Sequence, residues 1–285
     1  MKLIRYGELN KEKPGVIIDG VLYDASPFGE DFNEAFFESK GMDRLREFID
    51  ANQGRLNALP EGTRLGSPIA RPSKIVCIGL NYADHARETN APLPPEPVIF
   101  MKSTTSLTGP NDDIIIPKDS VKTDWEVELA LVIGKRASYV EESEAMDYIA
   151  GYCLHNDVSE REFQLERNGT WDKGKGCDTF APIGPFLAST DEIADIDNLR
   201  LWLKVNGQTM QDGSTSDLIF KIPFLVSYVS RFMTLLPGDV ISTGTPAGVG
   251  LGMNPQVYLK PGDVVELGID GLGSATQNVK AYAKN

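Results

Sequence analysis

Two glutamates separated by a single residue are the first groups in this chain that could do chemistry. In the run Asp124-Trp125-Glu126-Val127-Glu128-Leu129-Ala130-Leu131-Val132-Ile133, strand alternation places Glu126 and Glu128 on the same side, one pleat apart. The unbroken apolar run that follows sets the strand inside a sheet rather than at its edge. Two carboxylates at the mouth of a buried strand repel each other unless a cation lies between them. A hard divalent ion held by oxygen, Mg²⁺ or Mn²⁺, resolves that conflict; a pair on a solvated sheet face is the plainer alternative. A third carboxylate, Asp157 in His155-Asn156-Asp157, follows a strand candidate at 149–154. It stands at the C-terminal end of that strand, where ligands are commonly held. It could also cap a helical piece over 159–167, a use that draws on different lone pairs.

The chain has two histidines. His85 lies in Asn81-Tyr82-Ala83-Asp84-His85-Ala86-Arg87-Glu88, and on a helix Glu88 shares its face. Glu88 can then accept from one imidazole nitrogen and leave the other as a base, although an ordinary surface pair reads the same. Gly174-Lys175-Gly176 is either a mobile loop or a way of steering Lys175 into a site. The segment 243–250 lacks the Lys-Ser/Thr of a P-loop and opens no clear helix, so it is no nucleotide fingerprint. Its backbone N–H groups and the Thr245 hydroxyl can still meet an anion.

Short strands must position these groups. Pieces at 2–6, 15–18 and 21–23 around an Asp19-Gly20 turn, a helix near 43–51 and a breaker-rich stretch from Pro60 to Pro72 mark a small N-terminal unit, residues 1–70. A larger unit, 71–285, carries strand candidates at 74–80, 98–101, 114–116, 126–133, 149–154, 201–205, 240–242 and 264–268. Helices are expected at 82–89, at 144–148 with Ser143 as N-cap, and at 222–232 with Pro223 in the first turn. The proline-rich segment 91–97 reads as an extended loop. Many strands, few helices and no regular βα alternation predict a β-rich α+β fold.

Composition narrows the function classes. The 285 residues are 41% hydrophobic and 24% charged, with a net charge of −13, a soluble globular balance. Such acidity argues against nucleic acid and against an anionic membrane surface. Cys77, Cys153 and Cys177 show no CxxC spacing, so neither a disulfide framework nor a thiolate zinc site is indicated, and a reducing cytoplasm fits. Arg5 and Glu8 interrupt the N-terminus, so no signal peptide is expected, and no apolar run approaches the ~20 residues that cross a bilayer.

Five segments, in order, resemble the fumarylacetoacetate hydrolase superfamily: IGLNYADHARE (78–88), TDWEVELALVIGK (123–135), AGYCLHNDVSEREFQ (150–164), WDKGKGCDTFAPIGP (171–185) and ISTGTPAGVG (241–250). With the N-terminal MKLIRYG and EKPG, the resemblance is nearest to a sugar-acid branch, often labelled ureidoglycolate lyase, that includes hydrolases of 2,4-diketo-3-deoxy-L-rhamnonate or -fuconate. It implies a mixed β-roll, a homodimer, and Mg²⁺ or Mn²⁺ held by Glu126, Glu128 and Asp157. It further implies a His85–Glu88 dyad on a short helix that closes over the site and an active-site lysine at Lys175. Thr245 corresponds to a substrate-carboxylate contact, and Arg161 and Gln164 to residues lining the pocket. His155 is not demanded by the pattern and is read as structural.

The chemistry so implied is hydrolysis of the C3–C4 bond of a 2,4-diketo acid. His85, oriented by Glu88, takes a proton from the water that attacks C4. The leaving pyruvate enolate is stabilised by the cation as a Lewis acid, with Lys175 supplying charge or a proton. A 6-deoxy sugar acid would give pyruvate and lactate. Acylpyruvate hydrolysis, oxaloacetate decarboxylation and dienoate isomerisation use the same platform and are the nearest alternatives. A non-haem iron oxygenase built on His85, His155 and Asp157 leaves the glutamates without a role, and a non-catalytic metal-binding protein leaves His85 and Lys175 without one.

Overall fold

The computed structural model describes residues 1–89 and 92–284; residue 91 of the proline-rich segment and residue 285 lie outside them. Aliphatic runs between Gly and Pro turns form strands along most of the chain. In order these are β1 (Lys2–Tyr6), β2 (Lys13–Ile18), β3 (Val21–Asp24), β4 (Leu65–Gly66), β5 (Ile75–Gly79), β6 (Val98–Lys102), β7 (Leu107–Thr108), β8 (Ile114–Ile116) and β9 (Thr123–Asp124). There follow β10 (Val127–Ile133), β11 (Ile149–Asn156), β12 (Ser159–Glu160), β13 (Ala181–Ser189), β14 (Arg200–Val205), β15 (Gln208–Ser214), β16 (Val240–Ser242), β17 (Val264–Ile269) and β18 (Gly273–Ala281). The helices are α1 (Glu34–Glu38), α2 (Gly41–Ala51), α3 (Ala83–Glu88), α4 (Asp172–Lys175) and α5 (Ile222–Phe232).

The principal sheet runs β3-β2-β1-β13-β11-β10-β16-β5-β6, with β4 added to β1 and β7 to β13. A second sheet runs β15-β14-β17-β18-β8, and β12 pairs with β9. This is the sheet-rich α+β fold that the sequence predicts. Residues 1–70 contribute β1 to β4, and β1 pairs antiparallel with β13, so this segment extends the principal sheet. No helix among the described residues is long and apolar enough to cross a membrane.

Register decides what each sheet face carries. Glu128 pairs with His155, and Ala130 with both Cys153 and Ser242. Ser242 pairs with Cys77, Cys77 with Phe100, and Ile75 with Lys102. Paired residues share a face, so all of these side chains look the same way, toward a core that includes Ala130, Cys153, Ile183 and the Phe32 and Phe36 rings of the N-terminal segment. The alternate residues Val127, Leu129, Leu131 and Ile133 pack on the other side against α5 and the second sheet, through Leu225, Val229, Leu203 and Leu267. β10 is buried at every position.

Lys102 shows that the sheet is rolled. β6 lies four strand steps from β11, about 19 Å in a flat sheet and beyond the reach of a lysine. Its Nζ nevertheless bonds Asp157 at the end of β11, 2.5 Å from Oδ1.

Some local expectations are corrected. The helix expected over 159–167 is β12 followed by one π-helical turn, Glu162–Glu166. Residues Glu142–Tyr148 form a 3₁₀ helix whose N-cap, Glu141, makes no side-chain capping bond, so Ser143 does not serve as cap. β13 was not anticipated because Pro182, Gly184 and Pro185 read as breakers; β15 and β18 are too polar for their alternation to stand out.

Candidate active site

The strand register gathers the three acids. Glu126 precedes β10 and Asp157 follows β11, and the Asp157 N–H donates to the Glu126 carbonyl at 2.9 Å. Glu128 sits one pleat further in. One oxygen from each of Glu126, Glu128 and Asp157 lies within 4.8 Å of the others, and all three residues are buried. His85, His155 and Asp157 form no comparable group among the described residues, which removes the geometry that an iron triad needs.

Three cations surround the acids. Lys175 ends the short helix α4 rather than a mobile loop; its Nζ is 2.7 Å from Glu126 Oε2 and 3.0 Å from Asp157 Oδ2. Lys102 holds Asp157 Oδ1 and donates to the Val158 carbonyl at 2.9 Å. Arg161 lies 2.9 Å from Asp124 Oδ2 and 2.8 Å from Glu126 Oε1, and donates to Gln164 Oε1 at 3.0 Å. Asp124, Glu126 and Asp157 are thereby matched by Lys102, Arg161 and Lys175. Glu128 is the surplus acid. It receives hydrogen bonds from Ser242 Oγ at 2.5 Å and from the Gly244 N–H at 3.0 Å, and among the described residues it has no ion pair.

The electrostatics follow this arrangement. Burial, then Asp157 and Glu126, push the Glu128 carboxyl well above its ordinary value, and Lys175 and Ser242 offset this only in part. Burial also opposes ionisation of Glu126 and Asp157. For Glu126 it is outweighed by Lys175 and Arg161, and for Asp157 by Lys102 and Lys175, so both carboxyls lie below their usual range. Burial would lower the Lys175 ammonium, but Asp157 and Glu126 hold it above its ordinary value. Lys175 is therefore held as an ammonium rather than as a free amine.

The dyad is looser than its spacing predicts. His85 Nδ1 lies 3.5 Å from Glu88 Oε2 and has no hydrogen-bond partner. Glu88 instead accepts from the Gly248 N–H at 2.9 and 3.0 Å, and Asp84 accepts from Ala247 N–H at 3.3 Å. These bonds tie α3 to the glycine-rich segment 243–250. A Cβ at Gly252 would stand 2.3 Å from Glu88 side-chain carbons, so a larger residue there would push Glu88 aside.

A cavity of about 210 Å³ opens onto Glu126 and Glu128, with Asp157 buried behind them. His85, Glu126, Glu128, Arg161, Gln164 and Lys175 form its polar part; Ile78, Leu80, Phe100, Leu165, Trp171 and Leu251 form an apolar wall. Thr245 also lines it, but its hydroxyl donates to the Val127 carbonyl at 2.9 Å and accepts from Gln211 Nε2 at 2.8 Å. A substrate carboxylate would have to displace the Val127 bond to use that hydroxyl.

Sequence reasoning missed Lys102, although it ends the strand Val-Ile-Phe-Met-Lys on the same side as Phe100. It also missed Asp124, which anchors Arg161 and accepts from Gly250 N–H at 2.7 Å and Leu251 N–H at 2.9 Å.

The model of the fumarylacetoacetate (FAA) hydrolase C-terminal family matches residues 74–280. A Burkholderia multivorans protein, named no further than as a provisional hydrolase, is 52% identical over 283 residues, covering 99% of each chain. The fumarylacetoacetate hydrolase of psychrophilic Exiguobacterium antarcticum superposes with a TM-score of 0.87 at 34% identity, over 99% of this chain and 100% of that one. Maleylpyruvate hydrolase from Sphingobium sp. SYK-6, solved with manganese(II) and pyruvate, gives 0.83 at 29% identity with the same coverage. From its matched length, its fold and its acid cluster together, the chain belongs to the fumarylacetoacetate hydrolase family.

Proposed function

We propose that this enzyme hydrolyses the C3–C4 bond of a short-tailed 2,4-diketo acid, with 2,4-diketo-3-deoxy-L-rhamnonate or -fuconate as substrate, to give pyruvate and a hydroxy acid such as lactate. The observation that carries the reading is the unmatched Glu128, which lines the cavity with Glu126 and lies in one cluster with the buried Asp157. The three carboxylates are the hard oxygen set that suits Mg²⁺, with Mn²⁺ able to replace it. With a divalent ion present and Glu128 ionised, the cluster carries one net positive charge, the complement of one substrate carboxylate. When bound, the ion supplies Lewis-acid stabilisation of the enolate that leaves as pyruvate.

The chain's own groups supply the rest. His85 lines the cavity and accepts a proton from the attacking water. A small approach of Glu88 to Nδ1 leaves Nε2 as the base, a tightening usual when substrate arrives. Lys175, held as an ammonium, stabilises negative charge and delivers a proton to the departing carbon. Arg161 occupies the Gln164 oxygen and so turns the Gln164 amide N–H₂ outward as a donor. The apolar wall formed by Phe100 and Trp171 suits a tail as small as the hydroxyethyl group of a 6-deoxy sugar acid. The manganese and pyruvate of the Sphingobium hydrolase support both the ion and the fragment.

The test follows the absorbance of the enolised β-diketone with Mg²⁺, Mn²⁺ or EDTA, offering 2,4-diketo-3-deoxy sugar acids, acylpyruvates and oxaloacetate. Metal-dependent cleavage of the sugar-derived acids is expected, and Glu126→Gln should abolish it together with metal binding. Activity on oxaloacetate alone would replace hydrolysis by decarboxylation; metal-dependent turnover retained in Glu126→Gln would refute the site.

A further inference from the structure

His155 is fully buried and stands opposite Glu128 in the β10–β11 register. Its Nδ1 lies 2.7 Å from Ser242 Oγ, while its Nε2 has no partner. Ser242 reaches the same face through its pairing with Ala130, and its hydroxyl donates to Glu128 Oε2 at 2.5 Å. The Gly244 N–H donates to that same oxygen at 3.0 Å.

A serine hydroxyl has one proton to give. When Glu128 is a carboxylate, that proton goes to Oε2, so the Ser242 oxygen must accept from His155. The imidazole is then the Nδ1–H tautomer, and its bare Nε2 is the nitrogen that lacks a partner. Two donors on Oε2 leave Oε1 as the oxygen free to face a cation.

We propose that His155 and Ser242 are positioning residues, a two-member chain that fixes Glu128 so that it presents a single oxygen to the divalent ion. The proposal rests on the cation site put forward above. A histidine that merely filled space would need neither this ring orientation nor this tautomer. Outer-shell partners of this kind orient ligands and tune their affinity.

The experiment measures Mn²⁺ binding to the whole protein, from the electron paramagnetic resonance of free Mn²⁺, for wild type, Ser242→Ala, His155→Leu and His155→Asn. The Asn amide N–H takes the place of Nδ1–H. Ser242→Ala and His155→Leu should weaken Mn²⁺ binding about 10- to 100-fold, with His155→Asn staying within about threefold of wild type. The Ser242→Ala/His155→Leu double variant should bind no more weakly than Ser242→Ala alone, because the two act in series. As the chain has two histidines, the ¹⁵N spectrum of the Mg²⁺-loaded protein should resolve His155 as Nδ1–H. Unchanged Mn²⁺ affinity in all variants, an Asn variant as weak as the Leu variant, or an Nε2–H tautomer would each overturn the proposal alone. A wild-type protein that takes up no Mn²⁺ would overturn the underlying cation site and this proposal with it.

Discussion

Replacing Lys102 by Met tests the charge balance of the site at the residue the sequence concealed. The two side chains are similar in length, so the change removes a charge and a donor while largely keeping the packing. Lys102 and Asp157 side chains are both wholly buried, and taking away one member of a buried pair costs about 3–5 kcal/mol. Asp157 keeps Lys175 at 3.0 Å, which favours the lower end, about 3 kcal/mol. At roughly 2–4 °C per kcal/mol, the melting temperature in EDTA should fall by about 6–12 °C. The cluster is then one positive charge poorer, so a divalent ion should enter it more readily. Saturating Mg²⁺ should raise the melting temperature of Lys102→Met more than that of wild type. Thermal scans of both proteins, with EDTA and with Mg²⁺, complete the four-corner comparison. Equal melting in EDTA, or an equal Mg²⁺-induced rise, would refute the balance drawn here.

Two further outcomes can be read independently. Burial and the neighbouring acids raise the folded pKa of Glu128; metal-free stability from this group therefore declines as pH climbs from the ordinary glutamate value toward the folded one, by up to ~1.4 kcal/mol per unit. A proton and a divalent ion would compete for Glu128, so the Mg²⁺-induced gain in melting temperature should grow as pH rises above the ordinary glutamate value, and a flat or falling gain counts against it. Gly79→Ala would place a Cβ 2.5 Å from the Trp171 ring, which also meets Phe100 with centroids 5.3 Å apart. Steady-state kinetics should show KM rising more for longer-tailed diketo acids than for the shortest, and a rise independent of tail length would remove Trp171 from tail recognition.

What could be seen in the sequence divides along a physical line. Glu126 and Glu128 were legible because their shared side depends only on strand alternation, and α5 because its apolar period is local. The convergence of Asp157 was legible from its place at a strand end, but the register that sets it opposite Glu126 was not. Lys102 was hidden because its partner is reached across the roll of the sheet, a property of many strands that no single one records. The spacing of His85 and Glu88 gave their common face, yet the competing Gly248 N–H arrives from a segment about 160 residues away. Thr245 was visible as a hydroxyl in a glycine-rich loop; that its proton goes to Val127 depends on how that loop closes over β10.

The shared face of β10, β11, β16, β5 and β6 also limits how this protein can change. A one-residue slip of β10 against its neighbours would turn Glu128 into the aliphatic core and bring Val127 and Leu129 to the face it leaves, because such a slip inverts every side chain of the strand. The strands thus work as a fixed reading frame, with the acids and the small core encoded on the same alternate positions. Heritable shifts in substrate range are channelled into the parts that obey no such frame: α3, the π-helical turn before α4, and the segment from Thr245 to Gly252.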